Sequence, residues 1–281
     1  MPVKRYNPTS AGRRISSVDT FEDVTKQYPE KSLTIPRKEW AGRTYGKITV
    51  RHKGGGAKQR IRLVDNVRAD YDVPAVVNAI EYDPNRGARL ALLFYKNGKK
   101  SYIVAPLDLK VGMTVVSSKG KGDIQVGNRF PLENIPVGLM VHDVELTKGK
   151  GGQIARGAGA VVQLMAVEGN DATLKLPSGE LRQGFKGCMA TIGQASNPDR
   201  RLIRWGKAGR SRHRGIRPTV RGKVMNPVDH PHGGGEGRNS IGLKHPKTPQ
   251  GKPALGVKTR RKQASDALIL TRRPKGRFVG A

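Results

Sequence analysis

The sequence predicts a mainly β protein in which small antiparallel barrels lie between two basic end segments. Short β-prone runs recur between residues 76 and 192, and Gly or Pro separates one run from the next. No amphipathic helical pattern longer than three turns interrupts them. Lys and Arg number 53 against 22 Asp and Glu, a net charge of +31, and most of this excess lies outside the β-rich stretch.

The predicted strands follow one another closely along the chain. The first three cover residues 76–82, 89–95 and 101–105. A turn at 83–87 separates the first two, and Asn97-Gly98 predicts a hairpin between the second and third. Residues 132–138 are interpreted as the joint between two barrels. Further strands are predicted at 114–116, 137–146, 160–166, 172–176 and 189–192.

The charge is distributed unevenly. Residues 1–60 hold 14 basic and 5 acidic side chains, residues 61–200 hold 18 and 14, and residues 201–281 hold 21 and 3. We expect the nearly balanced middle to fold alone, whereas the ends stay extended until a polyanion neutralises them. Nucleic acid is the commonest polyanion, and an anionic membrane surface is the alternative.

Several classes of protein are disfavoured. The chain has no run of about 20 apolar residues, and its first residues lack the apolar core of a secretory signal. The single cysteine, Cys188, excludes an internal disulfide. These features predict a cytosolic protein or one from the interior of an organelle.

Two glycine-rich basic clusters suggest phosphate contacts. In the first, at 51–60, the glycines allow close backbone approach, and the flanking cations are Arg51, Lys53, Lys58 and Arg60. No Gly-Lys-Ser/Thr follows at P-loop spacing. For the second cluster, at 148–159, a contact from Arg156 to phosphate or guanine and a merely flexible loop are about equally favoured.

Residues 207–223 give the strongest general signal for RNA. Eight basic side chains, His213 included, fall within 17 residues, and no acidic side chain lies among them. Release of counterions from the RNA would then make binding strongly dependent on salt. The cations predicted to bind RNA here are Lys207, Arg210, Arg212, Arg214, Arg217 and Arg221.

Residues 226–238 allow two interpretations. Asp229, His230, His232 and Glu236 are residue types that can hold a metal or act as a general base, as in a metal-assisted hydrolase. However, the prolines at 227 and 231 forbid a regular helix or central strand, and the glycines have no side chains that could exclude water from a catalytic site. A turn packed against RNA, involving His230, His232 and Arg238, is therefore favoured.

Aromatic side chains make up only 5% of the chain. Proteins that bind single strands usually stack bases on aromatic rings, so this scarcity favours recognition of folded RNA by shape and phosphate position. A general DNA-condensing protein is the remaining alternative, and it would show no preference for RNA. The balanced β-rich middle argues against it.

The stretch 225–238, MNPVDHPHGGGEGR, resembles without a gap the signature of the bacterial-type large-subunit ribosomal protein two family. The resemblance covers about residues 30–275. One departure is TPQGK at 248–252, where the family usually has a Pro-Trp-Gly-Lys type sequence. Further matches, in order, are RHKGGG at 51–56, IEYDPNR at 80–86, LENIPVG at 132–138, GGQIAR at 151–156, LPSGE at 176–180, ATIG at 190–193 and KAGR at 207–210.

The resemblance implies an OB-fold followed by an SH3-like barrel, with basic extensions at both ends. The boundaries it suggests are an N-terminal extension at 1–35, the OB-fold at 36–127, the SH3-like barrel at 128–200 and a C-terminal extension at 201–281.

The resemblance also implies a function. Such a chain is a non-enzymatic structural constituent of the large ribosomal subunit, monomeric within the ribosome, with no cofactor, metal or membrane partner. It binds large-subunit ribosomal RNA, contacts small-subunit RNA at an intersubunit bridge and touches neighbouring ribosomal proteins. Arg86 and Arg156 match the family's RNA-contacting arginines. His230 matches a histidine linked to the peptidyl-transferase centre, where its role would be indirect.

Overall fold

The computed structural model describes residues 3–37, 42–258 and 260–274. Its strands, in chain order, are β1 (Val3–Arg5), β2 (Ser17–Asp19), β3 (Thr34–Pro36), β4 (Arg43–Thr44), β5 (Lys47–Ile48), β6 (Arg60–Arg62), β7 (Ala75–Glu81), β8 (Leu90–Tyr95), β9 (Lys100–Val104), β10 (Thr114–Val115), β11 (Arg129–Pro131), β12 (Met140–His142), β13 (Val144–Glu145), β14 (Gly152–Ile154), β15 (Val162–Glu168), β16 (Asp171–Lys175), β17 (Leu181–Phe185), β18 (Met189–Ile192) and β19 (Ile269–Thr271).

The helices are short. The α-helices are α1 (Ala11–Arg14) and α2 (Ala208–His213). None of the helices in the described ranges is long and apolar enough to cross a membrane. Single 3-10 turns lie at Lys31–Leu33, Leu132–Asn134, Pro198–Leu202, Gly222–Val224 and Ala264–Leu268.

The chain divides into two compact units. Unit 1 contains the described residues within 3–37, 57–210 and 267–274, and unit 2 contains those within 42–56, 211–258 and 260–266. The described part of unit 2 carries 17 Lys and Arg against 3 Asp and Glu in 70 residues, a net charge of +14. Unit 1 carries a similar excess, +15, over 197 described residues. The net positive charge per residue is therefore about 2.6 times higher in unit 2 than in unit 1.

Unit 1 contains two antiparallel sheets. The first has the order β10-β7-β8-β9, and the second has the order β11-β18-β12-β15-β16-β17-β19. Alternation along β7 buries Ala75, Val77 and Ala79 and leaves Val76 and Asn78 exposed. The prediction of a mainly β fold built on small antiparallel sheets with basic end segments is confirmed.

The hairpin between β8 and β9 shows how the sequence sets the register. The Gly98 amide donates to the Tyr95 carbonyl at 2.9 Å, and the Tyr95 amide donates to the Lys99 carbonyl at 2.9 Å. Gly98 has φ +82°, the left-handed conformation that glycine adopts at low cost. The hairpin predicted from Asn97-Gly98 is confirmed.

Each sheet has its own apolar core. The first includes Val77, Leu93, Ile103 and Val115. The second is larger and includes Phe130, Leu132, Ile135, Val141, Val162, Leu164, Leu174 and Ile192. The interpretation of 132–138 as a joint is wrong for its first half, because Leu132 and Ile135 are buried inside the second core.

The strand expected at 137–146 is two strands, β12 and β13. Asp143, between them, adopts a left-handed φ of +49°, which interrupts regular extended backbone. β12 pairs with β15 and β18, whereas β13 pairs with β14. The chain therefore leaves the second sheet at Asp143 and pairs with a different strand after it.

The end segments are partly anchored in unit 1. Arg89, 1% exposed, donates to Asp19 and Asp23 at 2.7 Å each and so fastens the N-terminal segment to the first sheet. At the other end, β19 pairs with β17 as the last strand of the second sheet.

Candidate nucleic-acid interface

Two basic segments that are far apart in sequence lie side by side in unit 2. Residues 51–56 and 211–217, here called the paired basic segments, are joined by backbone hydrogen bonds. The Gly54 amide donates to the Gly215 carbonyl at 2.9 Å, and the Arg217 amide donates to the His52 carbonyl at 3.1 Å. Lys53 and Ile216 form an antiparallel bridge. The two strongest basic motifs of the sequence therefore form one structural element.

Gly56 allows this pairing. A Cβ on Gly56 would lie 2.8 Å from the Gly215 nitrogen and 2.9 Å from its Cα, closer than side chains approach backbone. We expected the glycines at 54–56 to let backbone approach a phosphate; at Gly56 the close neighbour is protein backbone. Gly54 and Gly55 adopt left-handed φ values of +123° and +67°.

The pairing concentrates positive charge at the surface of unit 2. Arg51, Lys53, Arg214 and Arg217 are exposed. Arg212 is half-buried, and its Nη1 atom is shielded from solvent without a hydrogen-bond partner among the described residues. A buried donor left unpaired is costly, so an anionic acceptor at this position would stabilise the site.

His230 lies within a compact turn of unit 2. It is only 7% exposed, and its ring packs against Gly222, where a side chain would not fit. Backbone hydrogen bonds close the turn, from the Gly233 amide to the His230 carbonyl at 2.8 Å and from the Gly234 amide to the Met225 carbonyl at 3.1 Å. The predicted turn at 226–238 is present.

Both histidines of this turn accept backbone hydrogen bonds. The His232 amide donates to His230 Nδ1 at 3.0 Å, and the Lys247 amide donates to His232 Nε2 at 2.8 Å. The two rings lie 4.7 Å apart. These ring nitrogens are therefore used to shape the turn. Within the described ranges, no group of three or more His, Cys, Asp or Glu side chains could hold a metal ion.

Arg86 and Arg156 lie in unit 1, and each is held by a buried carboxylate. Arg86 Nη1 donates to Asp83 Oδ2 at 2.8 Å in the turn after β7. Arg156 donates to Asn66 Oδ1 at 2.7 Å and lies 3.3 Å from Asp143 Oδ1. About a quarter of each side chain stays exposed, 26% for Arg86 and 28% for Arg156. Their orientation is fixed before any ligand binds.

Other predicted cations of unit 1 also have protein neighbours. Arg60 begins β6 and approaches Thr34 Oγ1 at 3.5 Å, while Lys58 is exposed. Arg210, on α2, donates to the Ser17 carbonyl at 3.3 Å and lies over the Tyr6 ring. In unit 2, Arg221 and Arg238 are exposed.

Two family models match this chain. The model described as "Ribosomal Proteins L2, RNA binding N-terminal domain" matches residues 30–117, and the model described as "Ribosomal Proteins L2, C-terminal domain" matches residues 125–251. Together they cover more than three quarters of the sequence. The chain belongs to the ribosomal protein L2 family. It is accordingly a ribosomal, structural RNA-binding chain, and its sheets are the OB-fold and the SH3-like barrel of that family.

The sequence-predicted interface of this L2-family chain omitted part of the N-terminal segment. Lys207, exposed just before α2, lies next to Gly12, and the Arg13 guanidinium lies 5.1 Å from the centre of the Tyr6 ring. The signal that could have identified these residues was Gly-Arg-Arg at 12–14. A cluster of only two cations gave little reason to select it without knowledge of its neighbours.

Proposed function

We propose that this chain is a structural constituent of the large ribosomal subunit that binds large-subunit ribosomal RNA and supports assembly of the subunit. The observation that carries the proposal is the paired basic segments of unit 2, where exposed cations from two distant parts of the sequence share one hydrogen-bonded frame. Once RNA has neutralised the charge of unit 2, such a frame would hold the cations at fixed spacing, which suits contact with the phosphates of folded RNA.

RNA binding would supply the stabilisation that the described part of unit 2 lacks in the absence of an apolar core. Every apolar core cluster identified in the described ranges lies in unit 1, whereas Val228 and Leu255 of unit 2 are 90% and 72% exposed. Little apolar burial is available to offset ordering entropy and charge repulsion in unit 2. RNA phosphates would provide the counter-charge, so we expect this unit to become ordered on binding.

The 15 side chains that we assign to RNA contact differ in how much they must move. Arg86 is already oriented by Asp83, and Arg156 by the Asn66 side chain and the nearby carboxylate of Asp143. Their remaining N–H groups can each donate to a phosphate or to a guanine edge. Exposed cations such as Arg217 must be ordered by the RNA. The full set is Arg51, Lys53, Lys58, Arg60, Arg86, Arg156, Lys207, Arg210, Arg212, Arg214, Arg217, Arg221, His230, His232 and Arg238.

The proposal extends to the location of the chain in the subunit. We assign it a role in the architecture around the peptidyl-transferase centre, in contact with small-subunit RNA at an intersubunit bridge and with neighbouring ribosomal proteins, in the cytoplasm or an organelle. We assign His230 to RNA contact through the 7% of the residue that stays exposed, while its burial and the hydrogen bond that its Nδ1 accepts from the His232 amide maintain the turn. We propose no enzymatic activity for the isolated chain.

Competitive binding across a salt series tests this function. Purified full-length protein is bound to large-subunit ribosomal RNA against mixed RNA and duplex DNA. We expect a preference for ribosomal RNA that persists at roughly 200 mM salt, where purely electrostatic binding weakens greatly. Equal competition by all three nucleic acids would instead support the DNA-condensing alternative.

Single substitutions identify the surface responsible. Lys53→Gln, in the paired basic segments, should weaken ribosomal RNA binding and reduce the slope of log affinity against log salt by about one. Lys175→Gln is the matched control, because Lys175 is an exposed cation of β16 outside the assigned set. Equal slopes for the two variants would contradict the assignment of the paired basic segments.

A further inference from the structure

A cavity lies in unit 1 between the N-terminal segment and residues 199–204. Its volume is about 670 Å³, within the range of roughly 300–1,000 Å³ that is usual for small-ligand sites. A second cavity of about 240 Å³ adjoins it and shares the lining residues Tyr6 and Ser16. The resemblance did not point to either cavity. The larger cavity is lined by none of the side chains assigned to RNA contact above, whereas Lys207 and Arg210 of that set line the smaller one.

The cavity walls are held by hydrogen bonds. The Ser17 amide donates to the Arg204 carbonyl at 2.9 Å, and the Arg204 amide donates to Ser17 Oγ at 2.9 Å. Ser17 Oγ in turn donates to the Leu202 carbonyl at 3.2 Å, and the Tyr6 amide donates to the Ser16 carbonyl at 3.2 Å. The site is therefore formed before a ligand arrives.

The lining has two chemical characters. Val3, Ile15 and Leu202 provide an apolar surface, and Ile15 is 57% exposed. The cations of the larger cavity are Arg5, Arg14, Arg201 and Arg204, against the single acid Asp199. Arg13, Lys207 and Arg210 line the smaller cavity, together with the aromatic rings of Tyr6 and Trp205.

An apolar surface surrounded by cations fits a planar, apolar-faced group that carries negative charge beside it. We propose that this cavity holds an unpaired nucleotide of ribosomal RNA, with the base against Ile15 and Leu202 and the flanking phosphates on the arginines. A paired base could not enter, because its faces are covered by its neighbours in the helix. This inference rests on the proposed RNA-binding function and adds recognition of one extruded nucleotide to it.

The aromatic and apolar side chains of the N-terminal segment would then contribute to recognition of the RNA. Phosphate contacts alone position a protein on RNA without reading the sequence or the pairing state. A base-sized apolar cavity adds discrimination, because only RNA with an unpaired nucleotide at the right place fills it.

Photo-crosslinking from the cavity tests the proposal. The full chain carries a benzophenone amino acid at position 15 or, as the control, at Val137, which is also 57% exposed and lies before β12. Each protein is bound to large-subunit ribosomal RNA and irradiated, and the crosslinked nucleotides are mapped. We expect position 15 to crosslink to one or two nucleotides that are unpaired. Crosslinks only to paired nucleotides, or none, would overturn the inference.

Charge-neutral substitutions provide the second measurement. Ile15→Ser and Leu202→Ser should weaken binding to ribosomal RNA by roughly tenfold without changing its salt slope, whereas Val137→Ser should leave affinity unchanged. Wild-type affinity for both cavity variants would refute the nucleotide site while the general RNA preference stands. If the wild-type protein itself shows no preference for ribosomal RNA, that result contradicts the proposed function and, with it, the nucleotide site.

Discussion

Three arginines are among the most deeply buried side chains of unit 1: Arg68, Arg89 and Arg129. Arg129 lies 3.1 Å from Asp143 and 3.4 Å from Glu145. Arg68 donates to the Gly127 carbonyl at 2.7 Å, and burial lowers the pKa of its guanidinium to about 10. Buried charges must be paired or hydrogen-bonded, so these cations stabilise the fold and do not contact RNA.

The sequence could not separate these arginines from the RNA-binding ones. Arg129 lies between Asn128 and Phe130 in the sequence, and its partners Asp143 and Glu145 come from elements that only folding brings together. The same limit applies to Arg86 and Arg156, whose carboxylate partners are visible only in the structure. Residue type predicts that a cation needs an anion; only the fold shows which anion.

The burial of His142 predicts that the stability of the fold depends on pH. The ring is fully buried, and burial lowers its pKa below the ordinary 6.5, although Nδ1 donates to the Gly193 carbonyl at 2.8 Å. Because the unfolded chain binds a proton near pH 6.5 and the folded chain does not, the contribution of His142 is complete above that pH. It is lost progressively as the pH falls toward the folded-state pKa, by up to about 1.4 kcal/mol per pH unit.

Denaturant unfolding of the free protein and of His142→Asn between pH 8 and 5 measures this effect. The variant keeps a donor for Gly193 but cannot titrate. We expect the difference in unfolding free energy between the two proteins to shift in favour of the variant as the pH falls. Parallel stability curves over this range would show that His142 has no part in it.

At the scale of elements, the sequence predicted those strands whose own residues are β-prone. The runs at 76–82, 89–95 and 189–192 are β-prone and buried, and they correspond to β7, β8 and β18. β17 was missed, because LRQGF contains a glycine and polar residues and is only half-buried. β19 was missed because its partner, β17, lies about 88 residues earlier in the chain, a pairing that no local pattern encodes.

The sequence predicted both members of the paired basic segments but not their association. Gly56 makes the association testable without changing any charge. Gly56→Ala places a methyl group against Gly215 and should separate the two segments. Because exposed cations on both sides would then lose their fixed spacing, we expect affinity for ribosomal RNA to fall by on the order of tenfold.

Gly120→Ala is the matched control, since a Cβ there meets only Ser118 Oγ at an ordinary 3.7 Å. Both variants are compared by equilibrium binding, and circular dichroism of the free proteins reports whether the β-rich unit 1 is intact. Unchanged affinity for Gly56→Ala would mean that Arg51 and Lys53 bind RNA independently of residues 211–217, or that they do not bind it.

At the scale of the whole molecule, burial and charge are divided between the units. Unit 1 holds the apolar cores and, through Arg89, part of the N-terminal segment that composition alone had suggested would be unfolded. The described residues of unit 2 are held mainly by backbone hydrogen bonds and turns around glycines such as Gly215 and Gly233. We propose that domain boundaries lie at 36, 128 and 201.

This division predicts how the free protein is digested. Thermolysin cleaves before large apolar residues, and unit 2 exposes several of them, including Val220, Val224 and Leu255. We expect early cleavage between 211 and 258, while a fragment containing β7 to β18 survives, because cleavage follows local opening where apolar burial is sparse. Adding large-subunit ribosomal RNA should slow cleavage in 211–258 much more than cleavage elsewhere. Thermolysin does not recognise Lys or Arg, so this protection cannot come from RNA covering basic cleavage sites. It reports that the segment becomes ordered or is enclosed by RNA. Equal resistance of 211–258 in the free protein would instead show that unit 2 is stable without RNA, contrary to the proposed ordering on binding.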